Sequence, residues 1–465
     1  MRVLIIGAAR QGTSLASYLA RQGACVVLND RRPAGELLTV QQSLTEAARG
    51  AAGRIEFTFG GHPVELLHNV DLVCPSGGVP LNLPLLAEAR NRGIKFSNDS
   101  QIFVEAAPCP VVGITGSAGK TTTTTLVGRM AQAAAAGSNP PKRAYVGGNI
   151  GVPLISDVDQ MHADDVAVIE LSSFQLEIMT LSPHVAAILN ITPNHLDRHA
   201  SMADYTQAKA RILEFQSEKD IAVLGREDPG AWNLTPVVRG ELYSFGFGEP
   251  PAGTWGTFVK DENIFLRKEG GDTFLMPCAA VLLRGKHNMM NVLAACAIAA
   301  AAGFPVSAMR AGVEGFRGVP HRLEFVRHWG GASWFNDSIA TAPERSMAAI
   351  RSFDEPLILL AGGRDKNLPW DEFASLIRQR VDYLVLFGEA AEKIENALNN
   401  TRPGQSVRPY RVERSQGLKE AVNIATQLVK PGYIVLLSPG GTSFDEFRDF
   451  EDRGEVFRQW VMELP

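Results

Sequence analysis

The run Gly113-Ile114-Thr115-Gly116-Ser117-Ala118-Gly119-Lys120-Thr121-Thr122 limits what this chain can fold into more than any other segment. It follows the apolar stretch Pro110-Val111-Val112 and precedes a segment of helical character through Met130, which is the strand, glycine loop and helix order of a phosphate cradle. Glycines let backbone N–H groups face phosphate oxygens, a helix N-terminus adds partial positive charge, and Lys120 has the reach for outer phosphates. Gly116, Ser117, Ala118, Gly119, Lys120, Thr121 and Thr122 are therefore candidate positions for a nucleoside triphosphate, with a Thr121 or Thr122 hydroxyl available to magnesium. The spacing is unusual: a generic loop of this kind has its first glycine where this chain has Ile114.

At 465 residues the chain exceeds the size at which one core keeps growing, so two to four domains are expected. A net charge of −5, from 45 basic and 50 acidic residues, gives no electrostatic reason to expect nucleic acid or an anionic membrane as partner. Cysteines at 25, 74, 109, 278 and 296 are odd in number and lack metal-site spacing, so they read as small core residues of a reducing compartment. Met1-Arg2 passes directly into a strand without a signal-peptide pattern, and no apolar run approaches the roughly 20 residues a bilayer requires. The expectation is a cytoplasmic, soluble protein.

Three segments follow, each with its own α/β pattern. Val3-Leu4-Ile5-Ile6 reads as a buried strand, Gly7 to Gly12 as a turn, Thr13 to Gln22 as a helix and Val26 to Asp30 as a second strand. This resembles half of a Rossmann unit. Ala9 stands where a second glycine would admit a pyrophosphate most closely, and Arg31 and Arg32 follow Asp30 at once, so a nucleoside diphosphate suits the site better than a dinucleotide. Leu72 to Pro75 reads as a strand ending in the small residues Ser76, Gly77 and Gly78, where ligands gather in parallel sheets. Pro108-Cys109-Pro110 marks the first boundary, and Ala133 to Pro141 reads as a loop.

The central segment is the densest in chemistry. Val166 to Ile169 is a buried strand running into Glu170-Leu171-Ser172-Ser173-Phe174-Gln175-Leu176-Glu177, and Val185 to Leu189 a second one running into Asn190 through His199. Glu170, at a strand end beside the phosphate loop, is a candidate for holding magnesium, and His195 would reach the same rim. Tyr205 to Gln216 is helical, and Lys209 and Arg211, taken alone, read as a solvated basic face.

These residues together resemble the Mur ligase family, ATP-dependent enzymes that add amino acids to the peptidoglycan precursor. The resemblance spans the chain and rests on Thr115 to Thr122, on Glu170 to Glu177 and on Asn194-His195-Leu196-Asp197-Arg198-His199. It implies an α/β fold in three domains: a Rossmann-like domain at 1–107 for the UDP substrate, a P-loop ATPase-like domain at 108–317 and a Rossmann-like domain for the amino acid at 318–465. It implies catalytic roles for Lys120, His195 and Lys209. ATP would meet Lys120 and its loop together with Asn291, Arg322 and Asp337. Magnesium, two ions by resemblance, would be held by Thr121, Glu170 and His195, and Lys209 would be carried as a carbamate. The UDP-linked muramoyl peptide would meet Gly7, Arg10, Gln11, Asp30, Arg31, Ser76, Gly77 and Asn149. The amino acid would meet Thr341, Lys366, Ser443 at a helix start, and Phe450 through its backbone. A monomer is expected.

The implied reaction adds D-glutamate to UDP-N-acetylmuramoyl-L-alanine through an acyl phosphate. Two departures bear on the amino acid. Ile339 replaces the lysine of the family's Asn-Asp-Ser-Lys-Ala-Thr element, and Gly440-Gly441 stands where alanines or other small residues are usual. Another amino acid, such as L-glutamate, is the alternative. A folylpolyglutamate-synthetase-like ligase would share the loop and the chemistry but would not need the N-terminal domain, a kinase would phosphorylate a hydroxyl, and a non-catalytic binding subunit would have lost Lys120, Glu170, His195 or Lys209.

Overall fold

The structure, a computed structural model, describes residues 1–138, 142–149, 151–193, 198–366, 368–401 and 408–465. Its strands form three sheets, of five, nine and six members. By contacts the chain divides into two compact units, Met1–Leu282 with Lys286–Phe316, and Leu283–Gly285 with Arg317–Pro465.

In the first unit the five-stranded sheet is wholly parallel, in the order Arg54–Phe59, Cys25–Asp30, Arg2–Ile6, Leu72–Pro75, Lys95–Phe96. Leu4, Ile5, Val26 and Leu28 are fully buried, the near-continuous apolar run that a parallel strand covered on both faces requires. The helix after the first strand begins at Arg10, so the turn expected over Gly7 to Gly12 is shorter than the sequence suggested.

The nine-stranded sheet carries the phosphate loop. Strand Val111–Thr115 lies between Val166–Glu170 and Val185–Ile188, all parallel, and helix Lys120–Ala136 follows the loop. The helix overruns the loop expected at Ala133 to Pro141, because alanine is the strongest helix former and nothing interrupts it before Gly137; residues 139–141 lie outside the described residues. Glu241–Phe245 pairs in parallel with Trp255–Lys260, and from there the sheet turns antiparallel through Asn263–Lys268 and Gly271–Pro277, which sequence reading did not resolve. Apolar residues of both sheets merge into one core, with Val3, Ile5 and Leu28 of the first joining Ile169, Ala186 and Ile188 of the second.

The second unit is built on a six-stranded sheet in the order Glu324–Trp329, Ala332–Asn336, Ile434–Gly440, Leu357–Gly362, Val381–Phe387, Arg411–Arg414. Only the first pair is antiparallel. Alternate residues of its central strand serve opposite faces, Leu357, Leu359 and Ala361 one core and Ile358 and Leu360 the other. Leu283–Gly285 belongs to this unit through Arg284, which pairs with Glu355 and lies 5.6 Å over the Phe335 ring. The expected α/β class is what these sheets show.

Candidate active site

The phosphate loop leaves its strand at Thr115 and enters its helix at Lys120. Gly119, at the helix N-cap, has φ of +82°, and a Cβ there would stand 2.2 Å from Asn291 Oδ1; only glycine meets both demands. Asn291 thus packs behind the loop, with Thr123 Oγ1 donating to its Oδ1 at 3.5 Å. Lys120 Nζ donates to the Gly116 carbonyl at 2.8 Å, which folds the side chain over the loop's open edge.

The neighbouring strand end clamps the same loop. Asn190 accepts from the Ala118 N–H at 2.8 Å and donates to the Ala118 carbonyl at 3.1 Å, so its amide pairs with the backbone of one residue in both directions. Ser117 Oγ donates to the Thr192 carbonyl at 2.9 Å and accepts from the Thr192 N–H and the Tyr205 hydroxyl. His195 lies outside the described residues, as do Asn194, Leu196 and Asp197.

Glu170 ends the adjacent strand, in register with Ile114, and is 1% exposed. Asn149 Nδ2 donates to its Oε1 at 3.0 Å, whereas Oε2 is buried with no hydrogen-bond partner among the described residues. Leaving a buried carboxylate oxygen unmatched is costly, so the position suits a cation. Among the described residues no group of three His, Cys, Asp or Glu side chains could hold a metal alone. Magnesium does not need one, since it takes one or two protein oxygens and completes its shell with phosphate and water. A hydroxyl from the loop, one carboxylate oxygen and nucleotide phosphates therefore fit it.

The solvated basic face expected at Lys209 is not what the structure shows: Lys209 is 1% exposed. Tyr205, Ala208, Lys209, Ile212 and Leu213 are the buried residues of helix Met202–Glu214, a three–four spacing that puts the lysine on the apolar stripe. Its Nζ donates to the Gly116 carbonyl at 2.9 Å and to Thr115 Oγ1 at 3.3 Å. Burial, aided by repulsion from Lys120, lowers its pKa to about 6 against a smaller opposing pull from Glu170. At neutral pH the amine is mostly uncharged. Beside this group Phe174 stacks on His199 at 5.4 Å, and His199 Nε2 pairs with Ser173 Oγ at 3.0 Å. A cavity of about 430 Å³ opens there, lined by Glu177, Arg198, His199, Gln207 and Arg211 among others.

At the carboxyl edge of the five-stranded sheet, Ser76 Oγ donates to the Gly7 carbonyl at 3.2 Å and the Gly77 N–H to Gln11 Oε1 at 3.4 Å. Asp30 accepts from the Ala8 N–H at 2.8 Å and pairs with Arg32 at 2.9 Å; burial raises its pKa, but these contacts outweigh it and hold the carboxyl well below its usual range. Arg10 and Arg31 are exposed at the same edge.

In the second unit the expected residues gather at the carboxyl edge of its sheet. Asp337 is buried, accepts from Ser438 Oγ at 2.8 Å and from the Leu323 N–H at 3.2 Å, and is pushed up to about 7 by burial despite these bonds and Arg322 and Arg345. Arg364 and Thr442 exchange backbone hydrogen bonds at 2.8 and 2.9 Å, which ties the Lys366 loop to the Ser443 loop. Ser443 does not begin a helix. It opens a turn whose carbonyl accepts from the Glu446 and Phe447 N–H groups, and the helix starts at Phe450 because Asp449 caps it from the Asp452 N–H. The Phe450 carbonyl accepts from Ser338 Oγ at 2.8 Å. Gly440 has φ of +74° and its Cβ would stand 2.9 Å from the Trp370 ring, so the departure at this position meets a backbone need.

Family models match along the chain: the Mur ligase MurD-like N-terminal domain over residues 1–97, the Mur ligase middle domain over 114–299 and the Mur ligase glutamate ligase domain over 321–441. A curated relative from Symbiobacterium thermophilum, UDP-N-acetylmuramoylalanine--D-glutamate ligase, is 39% identical over 100% of this chain and 98% of its own. The chain belongs to the Mur ligase family. Among solved Mur ligases, UDP-N-acetylmuramate-alanine ligase MurC from Thermotoga maritima shares the fold, with a TM-score of 0.55, 18% identity and 99% of each chain covered. MurF ligase from the same organism, solved in complex with ADP, has a TM-score of 0.53 at 17% identity over 86% of this chain and 91% of its own.

For a Mur ligase, sequence reading overlooked three residues that brace the candidate loops within each unit. Asn190 and Tyr205 brace the phosphate loop from the next strand and helix, and Arg453 braces the loops of the second unit. Arg453 is fully buried and donates to Ser338 Oγ, the Ser338 carbonyl and the Gly441 carbonyl. Its signal was present: Arg453, Gly454, Phe457 and Val461 form the buried stripe of helix Phe450–Glu463.

Proposed function

We propose that this Mur ligase joins D-glutamate to UDP-N-acetylmuramoyl-L-alanine with hydrolysis of ATP to ADP. The observation that carries the reading is the buried Glu170 and Lys209 together with the half-buried Lys120 around one phosphate loop, in a chain matched end to end by the D-glutamate ligase from Symbiobacterium thermophilum. The substrate carboxylate oxygen bonds to the γ-phosphorus as the bridging bond to ADP breaks. The amine nitrogen of the amino acid then attacks the acyl carbon, phosphate leaves, and the nitrogen sheds a proton as the amide forms. Such transfer is chiefly positioning and charge neutralisation.

Lys120 neutralises the outer phosphates. Thr121, Glu170 and His195 are the residues that would hold magnesium, which when bound screens charge on the transferring phosphoryl group. The uncharged amine of Lys209 is the form that adds carbon dioxide, and as a carbamate it would present an anion beside the loop. Asn291, Arg322 and Asp337 serve the nucleotide. Gly7, Arg10, Gln11, Asp30, Arg31, Ser76, Gly77 and Asn149 serve the UDP substrate, and Thr341, Lys366, Ser443 and Phe450 the amino acid. The enzyme works as a cytoplasmic monomer. No helix of the described residues is long and apolar enough to cross a membrane.

Ile339 favours one second reading, a ligase of the same class for another amino acid, such as L-glutamate. The deciding measurement is phosphate release with ATP, magnesium and UDP-N-acetylmuramoyl-L-alanine against D- and L-amino acids. Signal with D-glutamate alone is expected; release with a different amino acid alone overturns the substrate, and release with none overturns the ligase assignment.

A further inference from the structure

Helix Pro343–Ile350 is fixed at its first turn to the ends of two strands. Ser346 Oγ donates to the Ser438 carbonyl at 3.0 Å, the Ser438 hydroxyl donates to Asp337, and the Gly440 N–H donates to the Ala340 carbonyl at 2.9 Å. This anchoring carries Arg345, one residue before Ser346, to the rim of the candidate amino-acid site. Its Nη1 donates to the Ile339 carbonyl at 3.4 Å, and the Thr341 N–H donates to the same oxygen at 2.9 Å. A guanidinium therefore stands at the residue where the sequence has isoleucine, next to Thr341.

We propose that Arg345 binds the side-chain carboxylate of the incoming acidic amino acid and is the specificity-determining cation of this site, in place of a charge at position 339. The inference rests on the acidic-amino-acid reading above. Arg322 and Arg345 act on one buried carboxyl, Asp337, and Lys366 lies within reach of Arg345: after desolvation, Arg322 lowers the pKa of Arg345 and Arg345 lowers that of Lys366. Asp337 offsets these cations only in part, because burial pushes its own carboxyl up to about 7. Glu344, the other acid that acts on Arg345, is exposed on the same helix turn. A rim with surplus positive charge is matched by a dianion. Arginine presents a planar fork suited to a carboxylate, and Arg345 and Lys366 give one cation for each carboxylate of an amino diacid.

The test is steady-state kinetics of Arg345→Ala and the closer-shaped Arg345→Gln. A charge-assisted contact of this kind predicts a rise of about 10- to 100-fold in KM for D-glutamate, an equal loss of preference for D-glutamate over D-glutamine, and unchanged KM for ATP and for the UDP substrate. Adding Ile339→Lys to Arg345→Ala should recover most of the loss. An unchanged KM for D-glutamate, or a rise in KM for ATP instead, overturns the proposal while the ligase reading stands. A parent enzyme that turns over no acidic amino acid overturns both. Unchanged constants for ATP and the UDP substrate also report that a variant is folded.

Discussion

Lys209 shows how far a single residue's meaning depends on its surroundings. With its pKa near 6, below the ordinary lysine value, the folded protein carries no proton there between about pH 6 and 10 while the unfolded chain does. This group therefore makes the protein more stable as pH rises through that window, and the gain is absent below pH 6. In bicarbonate-free buffer, Lys209→Met should flatten the pH dependence of Tm over the same range, and an unaltered slope would contradict the buried neutral amine. In turnover assays Lys209→Ala should be weakly active and partly restored by acetate, which replaces the missing anion. Lys120→Ala should lower kcat by about 100-fold or more at saturating ATP with the fold intact by circular dichroism. The placing of Lys120 at a helix start and of Glu170 and Asp337 at strand ends was legible because each sits in a recognisable run. The burial of Lys209 was not, because a lysine raises no expectation of an apolar stripe even when Tyr205, Ala208 and Ile212 share its face.

At the scale of elements, strands ending in polar loops could be read from apolar runs bounded by glycine, proline and asparagine, so Val111–Thr115, Val166–Glu170 and Val185–Ile188 were all anticipated. What could not be read was which loop braces which. Asn190 and Ala118 are 72 residues apart, and their pairing follows from two strands lying side by side. Removing both hydrogen bonds in Asn190→Ala should weaken ATP binding by roughly tenfold, at about 1 kcal/mol per bond less relaxation; isothermal titration with a non-hydrolysable ATP analogue measures it. The misplaced helix start at Ser443 has a similar origin. Ser443 and Asp449 are both acceptable N-caps by residue type, and only the turn closed by Glu446 and Phe447 selects the later one.

For the whole molecule, the composition and length already implied several domains, but not that the first two sheets share a core. Because Leu28 and Ile188 belong to one cluster and Leu359 to another, calorimetry should show two transitions. Leu28→Ala and Ile188→Ala should each destabilise the same one by about 2–5 kcal/mol, and Leu359→Ala the other; independent melting of the N-terminal sheet would refute this. The three residues Leu283–Gly285 give the second unit a further property. They are encoded ahead of Lys286–Phe316, which belongs to the first unit, so the two units interleave along the gene. A recombination that joins two parents at residue 316 would pair Arg284 from one with Glu355, Phe335 and Phe353 from the other. Exchange of this domain among relatives therefore favours crossovers that carry both segments, and a chimera made at 316 alone should regain stability when residues 283–285 are matched to its C-terminal donor.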